Sequence, residues 1–408
     1  MINLKPTLIC ASLLLMANNA YANPSKIKEL EARIKKLEKS ANLMSSKQDL
    51  GSAIERKLSG DNRFNPAISM ILNGSYANFT KDSNEIEGFV VGHEGERAKS
   101  GISIDQSELN ISSNIDDKFY GSLTAKIVQE DGEDKIELEE AYVQTLKSYY
   151  GFSAKAGRFL ATIGYLNEHH THTDNFADRP LPYRAFLNKH FFDDGIEISY
   201  LFPTDFYFET GYALFRGDSF PAAGAEGNGS GTQSGYLRIG SEIAKNLEYR
   251  IGFSFLNSKT GSEARKDEDQ NDVFAGDSDL AIADLKLSFS PVNNVKKQEV
   301  ILQGEYFSRT EEGIINSVAG QKEETSGFYG EAIYKFAPKY RLGYRYSRLD
   351  KKNQEYTPEV NSFMFDYSNS EFSRIRVQYN ADNAEAKTDN QYIFQYIMSI
   401  GAHPAHKF

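Results

Sequence analysis

The segment NEHHTHTD, residues 167–174, concentrates side chains that can bind metal ions or carry charge. It holds three of the seven histidines of the 408-residue chain, together with two acids. Along an extended backbone alternate residues share a side, so one side of this segment would carry Glu168, His170, His172 and Asp174. Imidazole and carboxylate together suit zinc and similar divalent ions. We therefore expect either a weak, transient zinc contact or simply a polar loop, with no permanently bound cofactor.

The start of the chain predicts export. Residues 1–22 combine Lys5, a short apolar run and small residues around a cleavage point after Ala22, which is the pattern of a secretory signal peptide. The apolar run is much shorter than the ~20 residues that span a bilayer as a helix. Cys10, the one cysteine of the chain, lies inside this peptide. The mature protein should therefore contain no disulfide and no thiolate metal site.

Charge and motifs exclude several classes of function. The formal net charge is −11 at pH 7, and an acidic chain is a poor partner for nucleic acid. No nucleophile motif of the G-x-S-x-G kind is present. We expect a protein that is not an enzyme and that does not bind nucleic acid.

Residues 66–408 read as a succession of strands. Sixteen segments of about ten residues alternate between apolar and polar side chains and are separated by Gly, Asn, Asp and Pro. In YRLGYRYS, for example, Tyr340, Leu342 and Tyr344 alternate with Arg341 and Arg345. An even number of such strands predicts an all-β fold, a transmembrane antiparallel β-barrel of about 16 strands with lipid outside and water inside. A soluble β-sandwich also alternates, but it does not explain the number of strands.

Residues 23–48 have a different pattern, with charged residues between apolar positions spaced as in a heptad repeat. This spacing predicts a short coiled-coil helix that assembles a homo-oligomer in the periplasm; a single amphipathic helix is the alternative. The oligomerisation positions are Ile27, Leu30, Ile34 and Leu37. Residues 49–65 are polar, contain Gly51 and Gly60, and are predicted to be a linker.

The histidine segment lies where the strand pattern stops. Between Gly164 and Phe191 alternation is absent, and Pro180 and Pro182 cannot occupy a central strand. Connections longer than about 15 residues are usually functional or disordered, and the aromatic residues here argue for order. We expect a folded loop that narrows the barrel. The candidate constriction residues are Glu168, His170, His172, Asp174, Arg179 and Arg184, and the candidate pore-lining residues on strands are Arg158, Arg341, Arg345, Arg374 and Arg376.

Two stretches carry a resemblance to known proteins. NISSNIDDKFYGSLTAKIVQEDGEDKIELEEAYVQTL followed by FSAKAGRFLATIGYLNE resembles the phosphate-selective porin superfamily (O and P type), and the final strand ending in Phe408 resembles the assembly signal of bacterial outer-membrane barrels. GYLNE-x-H, PLPYRAF, LFPTD and GAHPAHKF are similar to uncharacterised porin-like proteins, some labelled zinc-regulated or TonB-dependent receptors. The resemblance implies an outer-membrane location, lipid and the barrel-assembly machinery as partners, and a trimer.

Three functions follow as alternatives. The first is a porin that passes small hydrophilic solutes or ions by diffusion. The second is a zinc-acquisition receptor that uses the histidine segment, although the chain is too short for a barrel of about 22 strands with a plug. The third is a structural envelope protein with a closed barrel. Because acids are abundant near the predicted lumen arginines, the sequence does not predict anion selectivity.

Overall fold

The computed structural model describes residues 66–401, except residues 105, 131–132, 147–149, 223–230 and 267–271. The predicted signal peptide (residues 1–22), coiled-coil helix (residues 23–48) and linker (residues 49–65) lie outside the described residues. So do the oligomerisation positions Ile27, Leu30, Ile34 and Leu37 and the terminal Phe408. These assignments remain predictions.

Antiparallel strands make up most of the described chain. The first nine are β1 (Ala67–Phe79), β2 (Gly101–Ser103), β3 (Ser107–Asn114), β4 (Phe119–Glu130), β5 (Glu133–Thr145), β6 (Phe152–Leu160), β7 (Phe192–Leu201), β8 (Tyr207–Phe215) and β9 (Thr232–Ala244). The others are β10 (Leu247–Lys266), β11 (Asp272–Phe289), β12 (Glu299–Ile315), β13 (Val318–Ala337), β14 (Tyr340–Lys351), β15 (Glu359–Ser370), β16 (Ser373–Asn383) and β17 (Asp389–Gly401). One α-helix, α1 (Leu181–Leu187), lies between β6 and β7.

The strands close into a barrel. From β3 onward each strand pairs with the next one along the chain, and β17 pairs with β1, where Leu72 faces Met398. Both β2 and β3 pair with β1, so they act as one interrupted strand of the wall. The wall therefore has 16 strand positions. This confirms the predicted barrel of about 16 antiparallel strands.

The two faces of the wall differ as lipid and water require. On β15, Phe363 is 52% exposed on the outside, whereas Ser362 and Asp366, which face the interior, are 0% exposed. Alternation of this kind places an apolar band against lipid and polar side chains inside. Among the described residues, no helix has the length and hydropathy needed to cross a bilayer.

Aromatic side chains cluster on the wall where short turns join the strands. Phe152 and Tyr200 have ring centroids 4.6 Å apart, and Tyr340 and Tyr367 have centroids 5.2 Å apart. Tyrosine and phenylalanine at such a level match the interfacial girdles of membrane barrels. The turns from β5 to β6 and from β7 to β8 lie at this end of the barrel.

Three longer connections leave the opposite end, namely residues 80–100, 161–191 and 216–231. The connection of residues 161–191, called here the β6–β7 loop, packs inside the barrel. Phe186 and Phe191 of this loop are buried with Phe159, Phe215 and Phe307 of the wall. An apolar cluster inside an otherwise polar lumen fixes the loop in place, because each buried phenylalanine contributes roughly 1.5–3 kcal/mol.

Candidate pore constriction

The β6–β7 loop is tied at its neck by a single buried side chain. The Asn167 amide donates hydrogen bonds to the carbonyl oxygens of Ala161 and Phe191, at 2.8 and 2.9 Å. Its carbonyl oxygen accepts a bond from the Phe191 N–H at 2.6 Å. Asn167 is 0% exposed. One asparagine thus joins the two ends of the loop, next to the backbone hydrogen bond from the Ala161 N–H to the Phe191 carbonyl oxygen at 3.0 Å.

The histidine segment is not extended, which corrects the sequence prediction. Leu166–Glu168 and Thr171–Thr173 each form a 3-10 turn. These turns rotate successive side chains, so the four residues predicted to share one side do not. His170 and His172 remain together, with stacked rings 5.8 Å apart. Glu168 points to the wall at β9 and β10, and the side chain of Asp174 pairs with Arg179 of the same loop.

Glu168 binds the wall at β9 and β10. Its carboxylate pairs with Arg238 and with Arg250, the latter at 2.8 Å. Burial alone would raise the pKa of Glu168, but the two guanidinium groups hold it below its ordinary value. Both arginines bind the same oxygen, Oε1, and this pairing holds Glu168 at β9 and β10, apart from the carboxylates of β3 and β5 that face His170.

His170 and His172 face carboxylates on β3 and β5. His170 Nδ1 lies 2.9 Å from Glu139 Oε2 and 3.3 Å from Glu108 Oε2, and His170 Nε2 lies 3.1 Å from Glu140 Oε2. His172 Nδ1 lies 2.9 Å from the other oxygen of Glu108. Burial alone would lower the pKa of His170, yet the neighbouring carboxylates raise it well above its ordinary range. Without a metal ion, His170 is therefore a cation at neutral pH.

A β-bulge explains why two consecutive glutamates face the lumen. On β4, Thr124 pairs with Glu140 while the next residue, Ala125, pairs with Leu138, so Glu139 is the extra residue of β5. Successive strand residues normally point to opposite faces, and a bulge re-aims them. Glu139 and Glu140 are consequently 2% and 7% exposed. Together with Glu94 and Glu108 they form what we call the acidic side of the lumen.

The loop also binds the wall at β12. Glu305 accepts hydrogen bonds from the Tyr329 hydroxyl at 2.6 Å and from the Tyr183 hydroxyl at 2.9 Å. The same carboxylate accepts from the backbone N–H groups of Tyr165 and Leu166, at 2.9 and 3.2 Å. Burial and the Glu305 carboxylate raise the pKa of the Tyr183 hydroxyl well above its ordinary value. Both tyrosines therefore remain donors at all physiological pH values.

Arginines of β14 and β16 form the basic side of the lumen, which consists of Arg341, Arg345, Arg374 and Arg376. All four are at most 8% exposed, which confirms the inward direction predicted from the alternation of apolar and polar residues along these strands. Arg341 and Arg376 both pair with Asp366 of β15, the latter with Nε at 2.9 Å from the carboxylate, and Arg374 lies 3.9 Å from it. One aspartate thus partly neutralises three arginines.

The loop caps the basic side with its own oxygen atoms. The carbonyls of His172 and Asp174 accept hydrogen bonds from Arg374 and Arg376 at 2.6 and 2.7 Å. Arg345 binds the Asp178 carboxylate at 2.5 Å. Burial alone would raise the pKa of Asp178, but Arg345 holds it below its ordinary value. The loop therefore touches both sides of the lumen.

The remaining predicted loop residues bind within the loop or to a neighbouring connection. Arg179 Nε lies 2.5 Å from the Asp174 carboxylate, whose pKa burial raises to about 6. Arg184 Nε donates to the carbonyl oxygen of Gly95 at 2.8 Å. Asp174 is thus held by arginines and does not join the two histidines.

Arg158 does not line the lumen, which corrects its assignment. Arg158 of β6 lies directly opposite Ala141 of β5, and Ala141 lies directly opposite Leu123 of β4. The side chain of Leu123 is 40% exposed on the lipid face. Residues directly opposite in a ladder share a face. Arg158 Nε binds Asp194 at 2.8 Å on that outer face. The reason is the alternation of side chains along a strand, which places Arg158 on the same outer face as Ala154 and Ala156 of β6.

Several residues of the constriction were not predicted from sequence, and all of them lie on strands of the barrel wall. They are Glu108, Lys126, Glu139, Glu140, Arg238, Arg250, Glu305 and Asp366. Strand alternation could have assigned Arg238 and Glu305 to the interior. It could not have found Glu139, because the bulge shifts the phase of β5. No sequence signal shows which part of the wall a loop residue meets.

Comparisons with known proteins place the fold. No family model matches the chain. A curated relative from Aquifex aeolicus (strain VF5), described as an uncharacterized protein, is 28% identical over 384 residues, which cover 85% of this chain and 80% of the relative.

Solved outer-membrane proteins are similar in structure. An anion-selective porin from Comamonas acidovorans matches with a TM-score of 0.54 at 11% identity and covers 82% of this chain and 99% of its own. The trimer form of OmpT, an outer membrane protein of Vibrio cholerae, gives 0.53 at 12% identity, with 82% and 99% covered. OprB of Pseudomonas putida gives 0.50 at 10% identity, with 85% and 96% covered. At such identities the likeness establishes a porin-like barrel fold.

Proposed function

We propose that this protein is an outer-membrane porin in which small hydrophilic solutes or ions diffuse past the β6–β7 loop. The observation that carries the proposal is the position of the loop, which lies inside a membrane barrel and contacts both charged sides of the lumen. A solute that crosses the barrel must pass this loop. The porins among the structural neighbours support the same function.

The contacts of the loop with the acidic and basic sides are polar, and this suits a wet passage. Thr171, Thr173, Asn175 and Ala177 are half-buried, while the residues between them are buried against the wall. The Asn175 amide binds Glu331 and Arg341 of the wall, and the other three positions remain partly exposed. A passage lined by hydroxyl, amide and charged groups replaces the hydration of a polar solute at low cost.

The charge arrangement favours weak selectivity over strict selection of anions. The basic side is largely neutralised by Asp366 and Asp178, and the acidic side contacts the same loop at His170 and His172. Both signs of charge therefore line the constriction. This differs from what a phosphate-selective channel would need, and we propose that ions of either sign pass.

Channel recordings in planar bilayers test this function. Purified protein should give discrete conductance steps, with a reversal potential in a salt gradient near zero. Replacing residues 170–178 by Gly-Ser-Gly removes the contacts with both sides and should increase each step. Folded protein without any conductance, shown folded by heat-modifiable electrophoretic mobility, would instead support a closed structural barrel.

We further propose a homo-trimer, supported by the trimer form among the structural neighbours. The predicted coiled coil of residues 23–48 would add a periplasmic contact between the chains. Deleting residues 23–50 should then weaken the oligomer on native gels. An oligomer of unchanged stability would remove that role from the helix.

A further inference from the structure

We propose that the acidic side of the lumen contains a zinc site formed by Glu108, Glu139 and His170. One ligand atom from each residue lies within 4.8 Å of the other two. The site goes beyond the proposed pore function and does not depend on it. It also differs from the set expected from the sequence, because two of its three ligands come from the wall.

The distances match a tetrahedral ion. Zinc lies about 2.0–2.2 Å from nitrogen and oxygen ligands, so neighbouring ligands of a tetrahedron are about 3.3–3.5 Å apart. His170 Nδ1 lies 2.9 Å from Glu139 Oε2 and 3.3 Å from Glu108 Oε2. Small movements of two glutamate side chains would admit the ion. A water molecule or a solute would complete the coordination.

Each of the three ligands is oriented by a second residue. His170 Nε2 lies 3.1 Å from Glu140, Glu108 Oε1 lies 2.9 Å from His172 Nδ1, and Glu139 Oε1 lies 3.2 Å from His190 Nε2. A histidine that binds a metal through one nitrogen usually donates its other N–H to a carboxylate, and ligating carboxylates accept hydrogen bonds in turn. This arrangement therefore supplies both the ligands and the groups that hold them.

Charge also favours a cation here. The side chains of Glu94, Glu108, Glu139 and Glu140 are between 3% and 22% exposed, and Lys126 is the lysine that pairs with them. Buried carboxylates without enough positive charge are costly. A divalent ion would offset this excess of negative charge and would connect the β6–β7 loop to β3 and β5.

Imidazole and carboxylate ligands together identify the class of metal. Magnesium and calcium prefer oxygen ligands alone, whereas first-row transition ions accept imidazole. With one nitrogen, two carboxylates and no cysteine among the ligands, zinc is the first-row ion that most commonly adopts such a tetrahedral arrangement in proteins.

Zinc binding by the full chain, purified in detergent without a histidine tag, tests the site. After dialysis against a chelator and then Zn²⁺, we expect one zinc per chain by elemental analysis. His170→Ala and Glu139→Gln should lose it, and Glu140→Gln should weaken affinity about 10- to 100-fold. His169→Ala is the matched control, because His169 contacts Tyr165 and lies outside the site.

Two results would overturn the proposal. One is wild-type protein that binds no zinc above the level of a chelator-treated control. The other is an equal loss in His169→Ala and His170→Ala. If the variants do not fold, Co²⁺ bound to the wild type should show the visible absorption of four- or five-coordinate cobalt, and its absence contradicts the site. Conductance without zinc binding would leave the porin function intact.

Discussion

The acidic and basic sides of the lumen hold the same loop by different means. On the basic side, Asp366 pairs with arginines, which stay charged at every physiological pH. On the acidic side, the partners of Glu108 and Glu139 include His170 and His190, and a histidine, unlike an arginine, can lose its charge. The basic side therefore keeps its charge at every physiological pH, whereas the acidic side can exchange the proton of His170 for the proposed zinc ion.

The largest loss of stability is expected when the carboxylate that pairs with the arginines of the basic side is removed. Asp366→Asn leaves Arg341, Arg374 and Arg376 without their shared carboxylate at a site that is 0% exposed. Loss of one partner from a buried charge cluster costs about 3–5 kcal/mol. Urea unfolding in detergent micelles should show a lower midpoint for this variant.

Asp350→Asn is the matched control for that measurement. Asp350 pairs with Arg348, and both side chains are about two-fifths exposed. Exposed ion pairs contribute about 0–1 kcal/mol. Equal unfolding midpoints for the two variants would show that Asp366 does not hold the basic side together.

A smaller loss is expected on the acidic side. Glu139→Gln keeps the shape of the side chain, and His170 can adjust by becoming neutral. We expect a loss of about 1–3 kcal/mol, as for a buried hydrogen bond that is weakened. The same urea titration checks this value. A larger loss than that of Asp366→Asn would reverse the comparison between the two sides.

The smallest effect concerns pH and Asp178. Its pKa is held below its ordinary value by Arg345, so the contact contributes stability above the ordinary aspartate pKa of about 3.9. That stability is lost as pH falls through the lower, folded-state pKa. The difference in single-channel current noise between the wild type and Asp178→Asn should be constant between pH 7 and pH 5, because Asp174, with a pKa of about 6, titrates in both proteins alike, and this difference should shrink in strong acid.

Asp178→Asn provides the comparison for this pH effect. Asparagine carries no charge and cannot titrate, so the noise of this variant should be higher than that of the wild type at neutral pH, and the two should become similar in strong acid. A wild-type trace that is equally quiet in strong acid would mean that the Arg345 contact does not restrain the loop.

The sequence predicts the barrel and the inward direction of most of its arginine side chains, because strand alternation depends only on neighbouring residues. Arg345 and Arg376 follow from the phase of their neighbours alone. The contacts of His170 could not be predicted, because they depend on a bulge at Glu139 and on two 3-10 turns in the loop. Both features change the direction of side chains without changing the sequence pattern. Arg158 shows that even simple alternation must be followed along the whole strand.

Modification of an introduced cysteine tests most directly whether solutes pass the β6–β7 loop. The expected mature chain has no cysteine, so Ala177→Cys, which is half-buried on the loop, would carry a single thiol. Ile196→Cys is the control, because Ile196 is 59% exposed on the lipid face. We predict that a charged methanethiosulfonate reagent lowers the conductance of Ala177→Cys in discrete steps and leaves Ile196→Cys unchanged. Unaltered conductance from Ala177→Cys that mass spectrometry shows to be fully labelled would contradict the account.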